Sequence, residues 1–355
     1  MKTSVLLNKL FRFIFIILLV IVLYRLFNKS SLEGFENNVP NVAFPFKNIY
    51  DDANRKIPII CISAPFRSDE HKKLYETYKK QGYSFLGSSS YQEFPGTILN
   101  PYEDKYYSTH NDNYEANAKA WIHCFREPDK YFKTNVPRLL MSESDFIDPN
   151  RLIYNPNTSK KYDFIYVCLD EGAKHEATNC KPGWQAHNRN WELAKECLKV
   201  MCGEFKLKGL IMGRTNCDIT EKCNNYISSL PFQPQEKFLE LLQECKFIFV
   251  PNISDASPRV VTQAMCYNMP VLMNKNIVGG WKYVNNQTGV FFNDEKDIST
   301  ALYEFLNKSS YFSPRKWFVN NYGKEKTGRR LLGFLKEHYG NVDFKDAEYA
   351  TFKRL

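Results

Sequence analysis

The second half of the chain alternates short apolar strand patterns with amphipathic helix patterns, from Tyr162 to Leu306. The strand patterns are Tyr162–Leu169, Gly209–Met212, Lys246–Val250, Val271–Met273 and Gly289–Phe292. Such alternation predicts a parallel sheet with helices on both faces, where ligands bind beyond the carboxyl ends of the strands. We therefore predict an α/β, Rossmann-like domain over residues 160–310.

The first half contains one clear β-α-β unit. Lys56–Ala64 has the pattern of a buried strand, a polar helix pattern follows, and Tyr83–Leu86 is the next strand pattern. Gln92–Thr134 has no clear period, and the stretch 39–55 is expected to lie over the folded part without regular structure. These features predict a second, reduced Rossmann-like domain over residues 56–150.

The two ends of the chain lie outside these domains. Phe13–Tyr24 is an uncharged apolar run between Arg12 and Arg25, whose long side chains can reach the membrane interface. We predict that residues 1–36 are a transmembrane anchor and stem with a cytosolic N-terminus; a cleavable signal peptide is the alternative. Residues 311–355 are predicted to form a helical tail.

The composition narrows the possible partners and metals. Lys and Arg number 48 against 39 Asp and Glu, but the basic residues are scattered, which argues against a nucleic-acid partner. None of the ten cysteines forms a CxxC pair, which disfavours a zinc cluster. Cys180, Cys217 and Cys223 lie in polar stretches and could form disulfides in an oxidising compartment.

The most informative stretch is 249–281, where a strand runs into a polar loop and a helix pattern. Ser257 is predicted to cap that helix, whose free N–H groups would then face the ligand edge of the sheet. Arg259 adds a cation in the first turn, where the helix dipole favours acids, and a cation at that place makes sense if an anion is bound. The alternative is a plain strand–loop–helix crossover with Arg259 in solvent. Gly279 and Gly280 would allow the backbone to approach a ligand closely.

At this point the chain resembles the donor-binding domain of group 1 glycosyltransferases, the family-4-like branch of the GT-B fold. That family has an acidic residue, seven residues, then Glu-Ala-Met and a Pro-Val strand. The matching run here is Asp255, seven residues, Gln263–Met265 and Pro270–Val271. The resemblance implies two Rossmann-like domains with the active site in the cleft between them.

The resemblance also implies residue roles. Asp255 would face the donor sugar, Gln263 the ribose hydroxyls and Arg189 the diphosphate, while Gly213 would lie near the base or a phosphate. The family usually has Glu at both positions. Asp255 keeps the negative charge on a shorter side chain. Gln263 can still accept a hydrogen bond from a hydroxyl group, but it loses the strength that a charged acceptor adds. The implied reaction is a retaining, metal-independent sugar transfer from a nucleotide-diphosphate sugar, with no further cofactor.

Three residues of the first half are candidate acceptor contacts. His123 lies in an apolar run and is either a packed core histidine or an acceptor-side base. Glu143 and Asp145 follow a strand pattern and could contact acceptor hydroxyls, or form a solvated turn. The acceptor itself, whether glycan, lipid or protein, is left open.

Three functions are therefore weighed. The first is a membrane-anchored glycosyltransferase, and the alternative is a non-catalytic nucleotide- or glycan-binding membrane protein on the same fold. A dinucleotide-dependent oxidoreductase is disfavoured because no Gly-x-Gly-x-x-Gly follows an early strand.

Overall fold

Two six-stranded sheets organise the residues that the computed structural model describes, which are 39–99, 101–102, 113–171, 180–215 and 217–352. Across these ranges no helix is both long and apolar enough to cross a membrane. The anchor predicted over residues 1–36 lies outside the described residues.

The first sheet combines a parallel core with two strands from distant parts of the sequence. Its strands are β1 (Phe46–Asp51), β2 (Lys56–Ile62), β3 (Ser84–Ser88), β4 (Ala120–His123), β5 (Arg138–Leu140) and β12 (Ala350–Thr351). They lie in the order β12-β1-β2-β3-β4-β5, in which β2 to β5 are parallel and β1 is antiparallel to both neighbours. Helix α1 (Asp69–Lys80) connects β2 and β3, and Ser68 caps it by accepting a hydrogen bond from the backbone N–H of His71.

Strand β1 corrects the sequence analysis, which expected no regular structure over 39–55. The strand has only three apolar residues, Phe46, Ile49 and Tyr50, and its burial does not alternate strictly. Its stability comes instead from pairing with β2 and β12. The first sheet thus includes segments on both sides of the predicted range 56–150.

The second sheet is parallel throughout. Its strands are β6 (Tyr162–Val167), β7 (Gly209–Met212), β8 (Ile227–Leu230), β9 (Cys245–Val250), β10 (Val271–Asn274) and β11 (Gly289–Phe292). Their order is β11-β10-β9-β6-β7-β8, so the direction of strand addition reverses between β6 and β9. In doubly wound sheets this reversal opens a crevice at the carboxyl ends of the strands, where ligands bind.

Helices cover both faces of the second sheet, as predicted. They are α2 (Trp184–Asn188), α3 (Trp191–Gly203), α4 (Gln235–Gln243), α5 (Arg259–Cys266) and α6 (Ile298–Lys308). The apolar sides of α3 and α6 share one buried cluster, and those of α4 and α5 share the other. Asn190 stands at the N-cap of α3, and Asn188 ends α2.

The C-terminal helices attach to different sheets. Helix α7 (Pro314–Asn321) packs on the second domain through Phe318. Helix α8 (Lys324–His338) returns to the first sheet, where Leu331 and Leu335 are fully buried beside β1 and β2. The predicted helical tail is therefore divided between the two domains, with α7 on the second and α8 on the first.

Four cysteines form two disulfides, Cys180–Cys217 and Cys202–Cys223, with Cα–Cα distances of 5.6 and 5.2 Å. The three cysteines singled out from the sequence are all paired. Cys202, on the buried side of α3, is the partner that the sequence did not indicate.

Candidate active site

The loop that follows β9 places Asp255 at the reversal point of the second sheet. The Asp255 carboxylate accepts hydrogen bonds from the Arg189 guanidinium, from Asn252 Nδ2 at 3.1 Å and from the Ser257 backbone N–H at 3.2 Å. The Asp255 side chain is 12% exposed. The structure therefore unites Asp255 with Arg189, two residues that lie 66 positions apart in the chain.

Arg259 and Gln263 lie one turn apart on α5 and line the same cavity, of about 330 Å³. Arg259 is exposed, and within the described part of the chain its guanidinium has no hydrogen-bond or ion-pair partner. The Gln263 side chain is buried and likewise bonds to none of the described residues. The cavity is otherwise lined by Glu143, Phe146, Ile147, Asp148, Arg151, Leu152, Gln235, Leu239, Thr351 and Phe352.

The prediction that Ser257 caps α5 is wrong. Pro258 occupies the N-cap position and Arg259 begins the helix. The Ser257 hydroxyl accepts from the Ser144 backbone N–H at 3.0 Å and lies 2.8 Å from the Ser144 hydroxyl. Ser144 follows β5, so Ser257 joins the candidate site to the first domain.

Packing between loops explains the three glycines that were predicted to approach a ligand. A Cβ on Gly279 would lie 2.0 Å from the Ala256 carbonyl oxygen, and one on Gly280 would lie 2.3 Å from Pro258 Cγ. Gly213 has a φ of +106°, and a Cβ there would meet the backbone that follows β6 at 2.6 Å. These contacts require glycine whether or not a ligand is present.

Asp145 is part of the joint between the domains, rather than a free acceptor contact. Its fully buried carboxylate accepts from Lys282 Nζ at 2.6 Å, from the Tyr283 hydroxyl at 2.5 Å and from the Ser142 backbone N–H at 3.0 Å. Burial lowers the pKa of Lys282, while the neighbouring Asp145 charge opposes that shift. Burial and the same carboxylate raise the pKa of Tyr283.

His123 and Glu143 have different surroundings. His123, at the carboxyl end of β4, is 6% exposed, and its Nδ1 has no hydrogen-bond partner in the described structure. Burial and the positive charges of Arg138 and Lys282 lower its pKa to about 4, so the ring is neutral at pH 7. Glu143 lines the cavity and forms an ion pair with Lys47.

Sequence reasoning missed the support beneath Arg189. Glu171, just after β6, accepts from the backbone N–H groups of Gln185 at 3.1 Å and Ala186 at 2.7 Å in the first turn of α2. The fully buried Arg214 donates to Glu171 at 3.0 Å and lies over the Trp191 ring. Arg214, the residue after Gly213, thus holds the loop that presents Arg189. An acidic residue directly after a buried strand was the available signal.

Two Rossmann-like domains that meet at the carboxyl edges of their sheets fit the two-domain GT-B fold. Among solved structures, TarM is similar with a TM-score of 0.53 and 11% identity over 77% of this chain and 54% of its own. A glycosyltransferase from Rickettsia africae ESF-5 is similar with a TM-score of 0.53 and 15% identity over 79% of this chain and 77% of its own. The pneumococcal O-GlcNAc transferase GtfA, in complex with UDP and GlcNAc, has a TM-score of 0.51 and 10% identity over 76% of this chain and 54% of its own.

This similarity concerns the fold. The chain spans about half the length of TarM and of GtfA. No family model and no curated protein matches its sequence.

Proposed function

We propose that this chain is a glycosyltransferase that moves a sugar from a nucleotide-diphosphate sugar to a glycan, lipid or protein acceptor. The observation that carries the proposal is the cavity on α5. The Arg259 guanidinium and the Gln263 amide line it at the carboxyl edge of the second sheet, and neither group bonds to a described residue. A free cation at a helix start in this crevice suits a phosphate group. The GT-B neighbours support the same class of reaction.

The donor would extend from this cavity to Asp255. About 330 Å³ is at the small end of ligand pockets, which fits a nucleoside better than a complete nucleotide sugar. Gln263 would bind the ribose hydroxyls, and Arg259 and Arg189 would bind the diphosphate. The sugar would then lie at Asp255, whose carboxylate is already oriented by Asn252.

The proposed chemistry is retaining and independent of metal. The bond between the sugar C1 and the diphosphate oxygen breaks, and the acceptor oxygen bonds to C1. The two arginines would stabilise the charge that develops on the leaving diphosphate. On the acceptor side, the acceptor hydroxyl would pass its proton to the neutral His123 as its oxygen bonds to C1.

The test is thermal unfolding of the full chain with UDP, GDP, ADP and CDP and with their sugar conjugates. A ligand at 100 times its Kd should add about 2.7 kcal/mol of stability. We expect one base family to stabilise the wild type and to lose most of that effect in Arg259→Ala. Lys130→Ala, which removes an exposed cation paired with Glu127, is the matched control and should respond like the wild type.

Turnover separates a transferase from a binding protein. The stabilising nucleotide sugar should release nucleoside diphosphate with the wild type and far less with Asp255→Ala. Stabilisation without release under all acceptor conditions would favour the non-catalytic reading, and no shift across the whole panel would reject the donor site.

We further propose that residues 1–36 anchor the protein in a membrane as a single span. The apolar run between Arg12 and Arg25 supports this proposal. The full chain should stay with membranes through alkaline carbonate extraction, whereas a chain without residues 1–36 should not.

A further inference from the structure

The β12 segment contributes a wall to the donor cavity, although it follows the second domain in sequence. Ala350 and Thr351 pair antiparallel with Asp51 and Tyr50 of β1 and are buried. The Glu348 backbone N–H also donates to the Asp52 carboxylate at 2.8 Å. These bonds fix the position of the next residue, Phe352.

Phe352 forms an aromatic corner with Phe146. The two ring centroids are 5.5 Å apart and the ring planes meet at 81°, the edge-to-face geometry that aromatic pairs prefer. Both rings line the cavity that Arg259 and Gln263 also line. Leu239, from α4, adds a further apolar surface.

The cavity therefore has a polar and an aromatic part. In the proposed function, which this inference rests on, the polar part on α5 binds ribose and phosphate. The aromatic corner is then left for the flat, apolar part of the donor, and a nucleobase is the group with that shape. We propose that Phe352 contacts the nucleobase and thereby favours the binding of a nucleotide over that of pyrophosphate.

The experiment compares nucleotide and pyrophosphate binding by the full chain, using calorimetry with UDP, GDP, ADP, CDP and pyrophosphate as probes. Phe352→Ala should raise the Kd of the preferred nucleotide about tenfold, because base stacking is lost, and leave pyrophosphate binding unchanged. Phe352→Leu keeps most of the apolar volume without a ring, so it should show an intermediate loss if the alanine variant folds poorly. Phe344→Ala is the control, since Phe344 packs in the same first-sheet cluster without lining the cavity.

The outcomes separate this inference from the proposed function. Selective loss of nucleotide binding in the Phe352 variants, with Phe344→Ala unchanged, supports the inference. Equal loss of nucleotide and pyrophosphate binding, or no loss of either, overturns it while the donor site stands. A wild-type chain that binds none of the nucleotides removes the proposed function, and this inference with it, before any variant is compared.

Discussion

The two sheets differ in how far apart in the sequence their neighbouring strands lie. In the second sheet, helices connect β6 to β7, β8 to β9 and β9 to β10, and β7, β10 and β11 lie where the apolar patterns predicted them. In the first sheet, β1 pairs with a strand 299 residues later, Asp51 with Ala350. The contrast shows that repeated local units can be read from sequence, whereas a sheet completed by distant segments cannot.

The same contrast extends to the candidate site. The candidate donor residues Asp255, Arg259 and Gln263 come from one strand–loop–helix unit, and the structure keeps them at one edge of the second sheet. Asp145 comes from the first domain, and its environment depends on Lys282 and Tyr283, which are more than 130 positions away. A residue of that kind connects the two regions, so breaking its contacts tests how far they depend on each other.

The largest effect is expected for Asp145→Ala. The substitution leaves the Lys282 ammonium buried without its carboxylate, and breaking a buried pair in this way typically destabilises by about 3–5 kcal/mol. We expect urea unfolding to shift by that amount and to split into two transitions, because the joint between the regions is weakened.

Two further variants show whether the buried charge is the cause. Asp145→Leu combined with Lys282→Met should recover much of the lost stability, and Glu304→Ala, in an exposed pair with Lys308, should change little. A single unshifted transition in Asp145→Ala would mean that the joint does not couple the two regions.

Leu331→Ala on α8 and Leu302→Ala on α6 form a matched pair, since both leucines are fully buried, one under each sheet. Each should cost about 2–5 kcal/mol through lost burial and the cavity left behind. Hydrogen exchange should then become faster in different places. Leu331→Ala should affect β1 and β2, and Leu302→Ala should affect β6 and β9. Equal acceleration of both sheets by Leu331→Ala would contradict the assignment of α8 to the first domain.

The smallest effect is a pH dependence that distinguishes the two regions. The folded pKa of His123 is about 4, below the ordinary value of 6.5, so the unfolded chain binds the proton first as the pH falls. The resulting stability, up to about 3 kcal/mol, is fully present above pH 6.5 and is lost as the pH falls toward 4.

His123→Gln should flatten the stability profile over this pH window. His187, in the second domain, has a pKa lowered by burial but keeps more exposure, so His187→Gln should flatten the profile less. A larger effect from His187→Gln would place the acid sensitivity in the second domain.

Within the second domain, some elements and contacts could be predicted from the sequence and others could not. Strand β8 escaped notice because its sequence, ISSL, has two exposed serines at its centre and lies at the edge of the sheet. Arg189 was placed by position in the resemblance, and the structure brings it into an ion pair with Asp255. Ser257 was assigned a capping role from its local sequence. Its hydroxyl instead forms a hydrogen bond with the Ser144 hydroxyl of the other domain, a partner that no local pattern contains.

The sequence by itself determined the parallel second sheet and the helix that carries Arg259 and Gln263, because both follow from short-range periodicity and turn chemistry. Only the tertiary structure decided that β1 and β12 complete the first sheet and that Asp145 is buried in the joint. It also decided that Phe352 lines the cavity beside Arg259 and Gln263. The physical reason is that these features depend on hydrogen bonds and burial between segments far apart in the chain, which leave no periodic signal in either segment.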